Sequence, residues 1–327
     1  MPFKLPFGRG RKPARPQSHS ASGASGQAWE RPGDLPLWAE FFGTPEQLRR
    51  FEAEVGAYFE QRGIPVMIDD GMVTRANDPD VRYGLSNLGQ ACAAAPAERW
   101  RRFIADHFDM IIRSMEQTPD FDDSDLNALR ERLVVRLFDV DEIGDMPLAG
   151  CEPIPGIFAA LMVDEENAVR SVHPETAASW GVGAEELLEL ALDNVDRLTE
   201  QKVERVELDD AGVAYLAMSE SVFGSGLVCR VDRMDDLVGP HGALVAVPVR
   251  NMFLSVPIHG PEVIPAVGRI LPLVHGAHAD GPGSVSRRLY WFIDGKWTEL
   301  PWALEEGKLR FMPPPEFVEM LNGLVQE

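Results

Sequence analysis

The chain has 327 residues, three cysteines and a formal net charge of −21 at pH 7. Negative charge of this size repels a phosphate backbone, which argues against a protein that binds specific nucleic acids. The cysteines form no zinc or disulfide pattern, and no apolar run has the length of a membrane span or of a signal peptide, so we expect a cytoplasmic protein without a transmembrane segment.

The N-terminus differs in composition from the remainder of the chain. Residues 1–33 are rich in Pro, Gly, Ser and Arg, and hold six basic residues against one acidic residue. This composition has almost no apolar periodicity, which predicts a disordered basic tail over residues 1–34. We expect a solvated tail, with weak membrane or nucleic-acid contact as the alternative, followed by a globular body over residues 35–327.

The body begins with clear helix and hairpin signals. Residues 44–47 form a capping box with proline at the first helical position, which predicts a helix start. Asp70 and Gly71 separate two short apolar runs and predict a hairpin. An amphipathic stripe over residues 100–115 predicts a long helix.

The middle of the chain repeats this order. Leucine spacing predicts another helix over residues 126–137, and an Asp-, Gly- and Pro-rich segment at residues 139–156 predicts a linker that divides the body into two lobes. A hairpin over residues 158–172 and a helix over residues 187–198 then follow. The recurrence of hairpin and helix suggests an old duplication.

The remaining predicted elements also mix hairpins with helices. They are a hairpin at 209–212, a helix at 227–238, strands at 243–247 and 252–256, a helix at 263–274, a hairpin at 294–295 and a helix at 317–324. Regular alternation of strand and helix, as in a parallel sheet, is absent. The sequence therefore predicts an α+β fold with mixed, largely antiparallel sheets and packed helices.

Three segments resemble the YtpQ-like family of bacterial proteins of unknown function. They are a strand followed by Leu-Ser-Asn-Leu at residues 81–88, ALDNVDRL at residues 191–198 and GALVAVPVR at residues 242–250. The resemblance extends over about residues 48–293. It implies a shared fold and no established activity.

The strongest site candidate is the segment at residues 239–258, where two apolar strand-like runs flank a short polar break. Arg250 lies in this break, and an arginine between buried strands must reach solvent or face a carboxylate or phosphate. Two alternatives follow. Arg250 either pairs with an internal acidic residue, or binds an anionic group of a ligand or partner together with Asn251 and His259.

A second candidate is a metal site at His275, His278 and Asp280. This spacing can bring two imidazoles and a carboxylate together in one loop. The alternative places His275 at the C-terminus of the helix at residues 263–274, with a plain loop after it. No organic cofactor is predicted.

The chain shows no complete catalytic set. We therefore expect a non-enzymatic regulator or adaptor that binds a protein partner with a basic face, because an acidic surface attracts such a partner. The alternative is a small-ligand-binding protein or a metal-dependent hydrolase with a site near Arg250, His259 and His278.

Overall fold

A computed structural model of the chain describes residues 35–117, 123–143, 146–165, 168–280, 283–305 and 308–326. The predicted disordered tail at residues 1–34 lies outside the described residues. Helices pack against antiparallel sheets throughout the described part, so the predicted α+β class is confirmed.

The first part of the body packs helices on a sheet of order β1-β2-β3. Its elements are a 3-10 turn (Leu37–Phe42), α1 (Pro45–Gln61), β1 (Val66–Asp69), β2 (Met72–Arg75), β3 (Asp78–Gly84), α2 (Ser86–Ala93) and α3 (Trp100–Gln117). The Thr44 hydroxyl accepts a hydrogen bond from the Gln47 backbone N–H at 3.3 Å, which confirms the predicted start of α1. Asp70 and Gly71 have φ values of 40° and 73°, which a two-residue hairpin turn requires. The predicted hairpin is therefore confirmed.

The second sheet has β6 between β4 on one side and β5 with β7 on the other. The elements of this part are α4 (Leu126–Leu129), β4 (Leu133–Asp139), α5 (Val140–Ile143), β5 (Gly150–Ile154), β6 (Ile157–Glu165), β7 (Ala168–Ser171), α6 (Pro174–Ser179) and α7 (Ala184–Leu198). The β6–β7 hairpin followed by two helices repeats the hairpin-then-helix order of the first part, as predicted.

The predicted helix over residues 126–137 is wrong beyond its first turn. Only α4 is helical, and the next apolar residues form β4. Val134 and Val135 are adjacent in β4 and both fully buried, so the first half of this strand shows no alternation of apolar and polar residues. Without that alternation, the leucine spacing imitates a helix.

The predicted division into two lobes at residues 139–156 stays a prediction, and the strands on either side of this segment belong to one sheet. β4 and β6 lie on either side of this segment and pair in one continuous antiparallel register, from Leu133 opposite Val163 to Asp139 opposite Ile157. Residues 139–156 therefore connect two neighbouring strands of the same sheet.

The third sheet has six strands in the order β13-β12-β10-β11-β9-β8. The elements of this part are β8 (Lys202–Glu207), β9 (Val213–Met218), a 3-10 segment (Gly224–Arg233), β10 (Ala243–Val249), β11 (Met252–Pro257), α8 (Val263–Asp280), β12 (Leu289–Ile293), β13 (Lys296–Glu299), β14 (Trp302–Glu305), β15 (Lys308–Phe311) and α9 (Pro315–Gln326). The predicted helix at residues 227–238 is replaced by the 3-10 segment. The helix predicted to end at residue 274 continues to Asp280.

The central strands β10 and β11 of the six-stranded sheet are buried on both faces. Val245 and Val247 belong to a core shared with α7 and the second sheet, whereas Leu244 and Ala246 belong to a core shared with α8 and α9. A third core, rich in aromatic side chains, lies within the first part of the body. Burial on both faces explains the continuous apolar run of β10, because neither face is open to polar side chains.

An ion-pair cluster centred on Arg288 joins the second and third sheets. The Arg288 guanidinium contacts carboxylate oxygens of Asp139 at 3.2 Å, Asp141 at 2.6 Å and Glu299 at 2.9 Å. The Ser286 hydroxyl also donates to Asp139 at 2.6 Å. Asp139 is only 9% exposed, so its charge depends on these donors.

We predict that Arg288→Ala lowers the free energy of unfolding by about 3–5 kcal/mol, because Asp139 then keeps a buried charge without its main partner. Urea unfolding followed by tryptophan fluorescence measures the change. The control is Arg269→Ala, which removes a 3.3 Å contact with Asp210 between mostly exposed side chains and should cost less than about 1 kcal/mol. Equal losses in the two variants would contradict the prediction.

Candidate anion-binding site

Arg250 lies in the turn between β10 and β11, at one end of the six-stranded sheet. Its backbone N–H donates to the Gly283 carbonyl at 2.9 Å, and its carbonyl accepts from the Ser225 N–H at 3.1 Å. The turn is therefore held on one side by the chain that follows α8 and on the other by the start of the 3-10 segment.

The Arg250 side chain lies across the backbone of Gly283. A Cβ atom on Gly283 would lie 2.5 Å from both Cδ and Nε of Arg250, and Gly283 has a φ of 87°. Glycine is therefore required here for two reasons: the close approach of the side chain and the left-handed backbone.

The Arg250 guanidinium is half-buried and has no ionic partner in the part of the chain that the structure describes. No hydrogen bond or ion pair joins its side chain to any residue in the described part of the chain. Burial lowers the pKa of Arg250, and no carboxylate opposes this shift. Of the two alternatives from the sequence, internal pairing with an acidic residue does not occur among the described residues.

A second arginine, Arg136 of β4, lies close to this turn. The preceding residue, Val135, packs against the 3-10 segment, because a Cβ on Gly226 would lie 2.8 Å from Val135 Cγ1. Gly226 is adjacent to Ser225, which donates to the Arg250 carbonyl. β4 therefore runs past the Arg250 turn.

Arg136 is also half-buried and has no ionic partner in the described residues. Its guanidinium carbon lies 4.9 Å from the centroid of the Phe138 ring, which supports one face of the guanidinium. Burial, and then the positive charge of Arg250, lower the pKa of Arg136 to about 10. Within the described part of the chain, two positive charges without an ionic partner therefore lie near this end of the sheet.

Polar side chains connect the first part of the body to the same place. Gln90 of α2 donates through Nε2 to the Ser284 hydroxyl at 2.5 Å and accepts from the Gly283 N–H at 3.1 Å. The Ser284 hydroxyl in turn donates to the His278 carbonyl at 2.7 Å. The Arg250 turn thus lies where α2, the end of α8 and β4 converge, and ligand sites are common at such junctions.

His278 contributes a neutral side chain to this region. Burial, and then the charge of Arg287, lower its pKa to about 4, although Asp139 opposes the shift and His275 adds to it. Arg287 is itself paired with Glu40 at 3.3 Å. At neutral pH the unpaired positive charge of the site therefore comes from Arg136 and Arg250.

The structure brings only some of the predicted site residues together. His278 lies near Arg250, but His259 follows β11 at its opposite end, nine residues from Arg250, which is roughly 30 Å of extended chain. Asn251 is exposed, and its side chain donates to the Ser219 carbonyl at 3.2 Å. This bond holds the turn and leaves Asn251 as a supporting residue.

The metal hypothesis required a loop at residues 275–280, and this segment is helical. In a helix, His275 and His278 lie three residues apart on one side, whereas Asp280 lies five residues after His275 on a different side, so α8 does not gather the three positions as a loop could. The metal site stays a prediction. The His275 ring instead contacts Trp302 edge-on, with 6.4 Å between ring centroids. Within the described residues, no group of three or more His, Cys, Asp or Glu is placed to hold a metal.

Arg136 and Gln90 were not predicted from the sequence. Arg136 is the one charged residue in the apolar run of residues 133–138, the same signal that pointed to Arg250. Assignment of this run to a helix concealed the signal, because a helix offers an arginine a solvent-exposed face. No sequence pattern pointed to Gln90, since its role depends on a contact with residues far along the chain.

Comparison with known proteins gives no relatives for this chain. It matches no protein-family model, no curated protein and no solved structure. Among the described helices, none is both long and apolar enough to cross a membrane.

We predict that His278 makes stability fall in acid. Its pKa is about 4 in the folded protein and near 6.5 otherwise, so the unfolded chain takes up the proton first as the pH falls. The loss of unfolding free energy caused by His278 is absent above pH 6.5. It grows as the pH falls and reaches at most about 3 kcal/mol by pH 4. The measurement is urea unfolding of the wild type and of His278→Gln between pH 7.5 and 4. The variant should gain stability relative to the wild type as the pH falls, and a constant difference would refute the role of His278.

Proposed function

We propose that the protein binds a small molecule by an anionic group, at Arg136 and Arg250. One observation carries the proposal: both guanidinium groups are half-buried, and neither has a hydrogen bond or ion pair within the described residues. The chain holds 52 acidic residues against 31 basic residues, so carboxylate partners are abundant. Two neighbouring arginines without a carboxylate partner among the described residues are therefore unexpected.

Two other partly buried arginines, Arg230 and Arg288, have carboxylate partners. Arg75 instead lies over the Tyr83 ring and has no ion pair among the described residues. Arg230 contacts Glu189 at 2.6 Å and Asp193 at 2.7 Å, and Arg288 contacts three carboxylates. A partly desolvated charge without a partner raises the free energy of the folded protein. A bound anion removes that cost, and the guanidinium fork matches the oxygen geometry of carboxylate, sulfate and phosphate.

This proposal develops the small-ligand alternative and assigns no reaction. The Ser284 hydroxyl donates to a backbone carbonyl, so it is not oriented as an activated nucleophile. Three expectations from the sequence stay predictions: a partner protein with a basic face, a cytoplasmic location, and a relationship to the YtpQ-like family. They rest on the net charge, the reduced cysteines and the three short segments, respectively.

We predict that sulfate binds the wild-type protein and that Arg250→Gln weakens this binding at least tenfold, because the variant loses one of two guanidinium groups. Isothermal titration calorimetry with sodium sulfate, against sodium chloride at equal ionic strength, measures the affinity. Arg269→Gln is the control, since it removes an exposed arginine elsewhere and should bind within twofold of the wild type. Equal binding by all three proteins, or none by the wild type, would exclude the proposed site.

Without ligand, Arg250→Gln should melt at the same temperature as the wild type or above it. The substitution removes a desolvated charge that has no partner to lose. Differential scanning calorimetry in a chloride buffer measures this. A clear drop in melting temperature would mean that Arg250 has a structural partner.

Gly283→Ala tests the geometry of the site without changing its charge. The new methyl group would lie 2.5 Å from the Arg250 side chain, so we predict that the guanidinium moves and sulfate binding weakens at least fivefold. Gly181→Ala is the matched control, because Gly181 also has a positive φ of 66° but nothing lies within 4 Å of a Cβ there, so it reproduces the backbone strain without the contact. Unchanged binding in Gly283→Ala would show that attraction to the anion is non-specific.

A further inference from the structure

The hydrophobic cores divide the described chain into two parts. The core of residues 35–117 lies among α1, α2, α3 and the first sheet, and the apolar side chains that pack against it all come from this same part of the chain. The second and third sheets, by contrast, share one core, so apolar packing joins them. Residues 35–117 therefore have the core of a separate domain, which is called the first domain below.

Three polar contacts join the first domain to one short segment, residues 283–287. Gln90 donates to the Ser284 hydroxyl at 2.5 Å and accepts from the Gly283 N–H at 3.1 Å. Glu40 forms an ion pair with Arg287 at 3.3 Å, between side chains that are 50% and 39% exposed. Hydrogen bonds and exposed ion pairs contribute little net free energy, because water competes for both partners. These contacts are therefore easier to break than either core.

The same segment supports the Arg250 turn. Gly283 is buried, its carbonyl accepts from the Arg250 backbone N–H at 2.9 Å, and the Arg250 side chain lies across its backbone. The Gly283 N–H donates to Gln90 of the first domain. The domain contact and the Arg250 turn thus meet at one residue.

We infer that the first domain docks reversibly on the remainder of the protein through Gln90, and that its opening uncovers the Gly283 backbone beside Arg250. Both cores stay intact when the domain opens, because the contacts that break are polar. An open form of this kind is populated in between about 0.1% and 10% of molecules. Opening does not depend on whether an anion binds at Arg250, so it stands or falls separately from the proposed function.

Hydrogen exchange of the Gly283 amide, followed by NMR on the full-length protein, measures the opening. Gly283 should exchange faster than core amides such as Val55 in α1 and Val245 in β10, which exchange only when their cores unfold. Gln90→Ala removes two hydrogen bonds, so exchange at Gly283 should accelerate about tenfold while the two core amides keep their wild-type rates. Gln61→Ala replaces an exposed glutamine at the end of α1 and should change nothing. If Gly283 exchanges as slowly as the core amides, the domain does not open.

Glu40→Ala tests whether the first domain moves as one body. Glu40 contacts Arg287, four residues from Gly283, so its loss should still accelerate exchange at Gly283 when the whole domain opens. We expect an acceleration of about twofold to threefold, because the ion pair is exposed. The matched control is Glu54→Ala, which breaks the ion pair with Arg101 inside the domain and should leave Gly283 unchanged. An unchanged rate at Gly283 in Glu40→Ala would overturn opening as one body.

A substitution in the core of the first domain tests its independence. Val55 is fully buried in α1, so Val55→Ala leaves a cavity and destabilises this core. We expect faster exchange at the protected amides of residues 35–117 and unchanged exchange in β4, β6 and β10. These strands should stay protected even if the substitution unfolds the first domain. Equal acceleration in both parts would show that the chain unfolds as one cooperative unit, and a separate domain would then be wrong.

Discussion

The burial of the β10–β11 hairpin on both faces is the constraint on which the remainder of the structure depends. One face of this hairpin completes the core that includes the second sheet and α7, and the other completes the core beneath α8 and α9. No charged side chain can be placed along it without losing its hydration. The polar groups therefore collect at its turn, where Arg250 meets the 3-10 segment and the chain after α8.

At this end of the sheet, some partly buried charged side chains are paired with an opposite charge and others are not. Asp139 and Arg288 compensate each other and connect β4 to the chain just before β12, so this pair serves the fold. Three residues earlier in β4, Arg136 has no such compensation among the described residues, and neither has Arg250. In a chain of net charge −21 carboxylates are plentiful, yet none of the described residues pairs with either arginine.

Local signals in the sequence predicted most of the elements correctly. The Thr44 cap and the Asp294–Gly295 turn depend on hydrogen bonds and dihedral angles within a few residues, and these are fixed by residue type. The prediction of a helix over residues 126–137 was wrong because the first three residues of β4 are all buried, so the strand begins without the alternation of apolar and polar residues that identifies a strand. The helix predicted to end at residue 274 continues to Asp280, so the loop that the metal hypothesis needed is absent from the described chain.

The sequence by itself determined the α+β class, the buried hairpin and the position of Arg250 in a short break between apolar strands. These follow from the hydrophobic pattern and from the cost of burying a charge, which need no knowledge of distant contacts. Only the tertiary structure decided that Arg250 has no carboxylate beside it in the described residues, that Arg136 is its neighbour and that His259 is remote. The physical reason is that ion pairing depends on distances between residues more than a hundred positions apart, and those distances are set by how the sheets pack together.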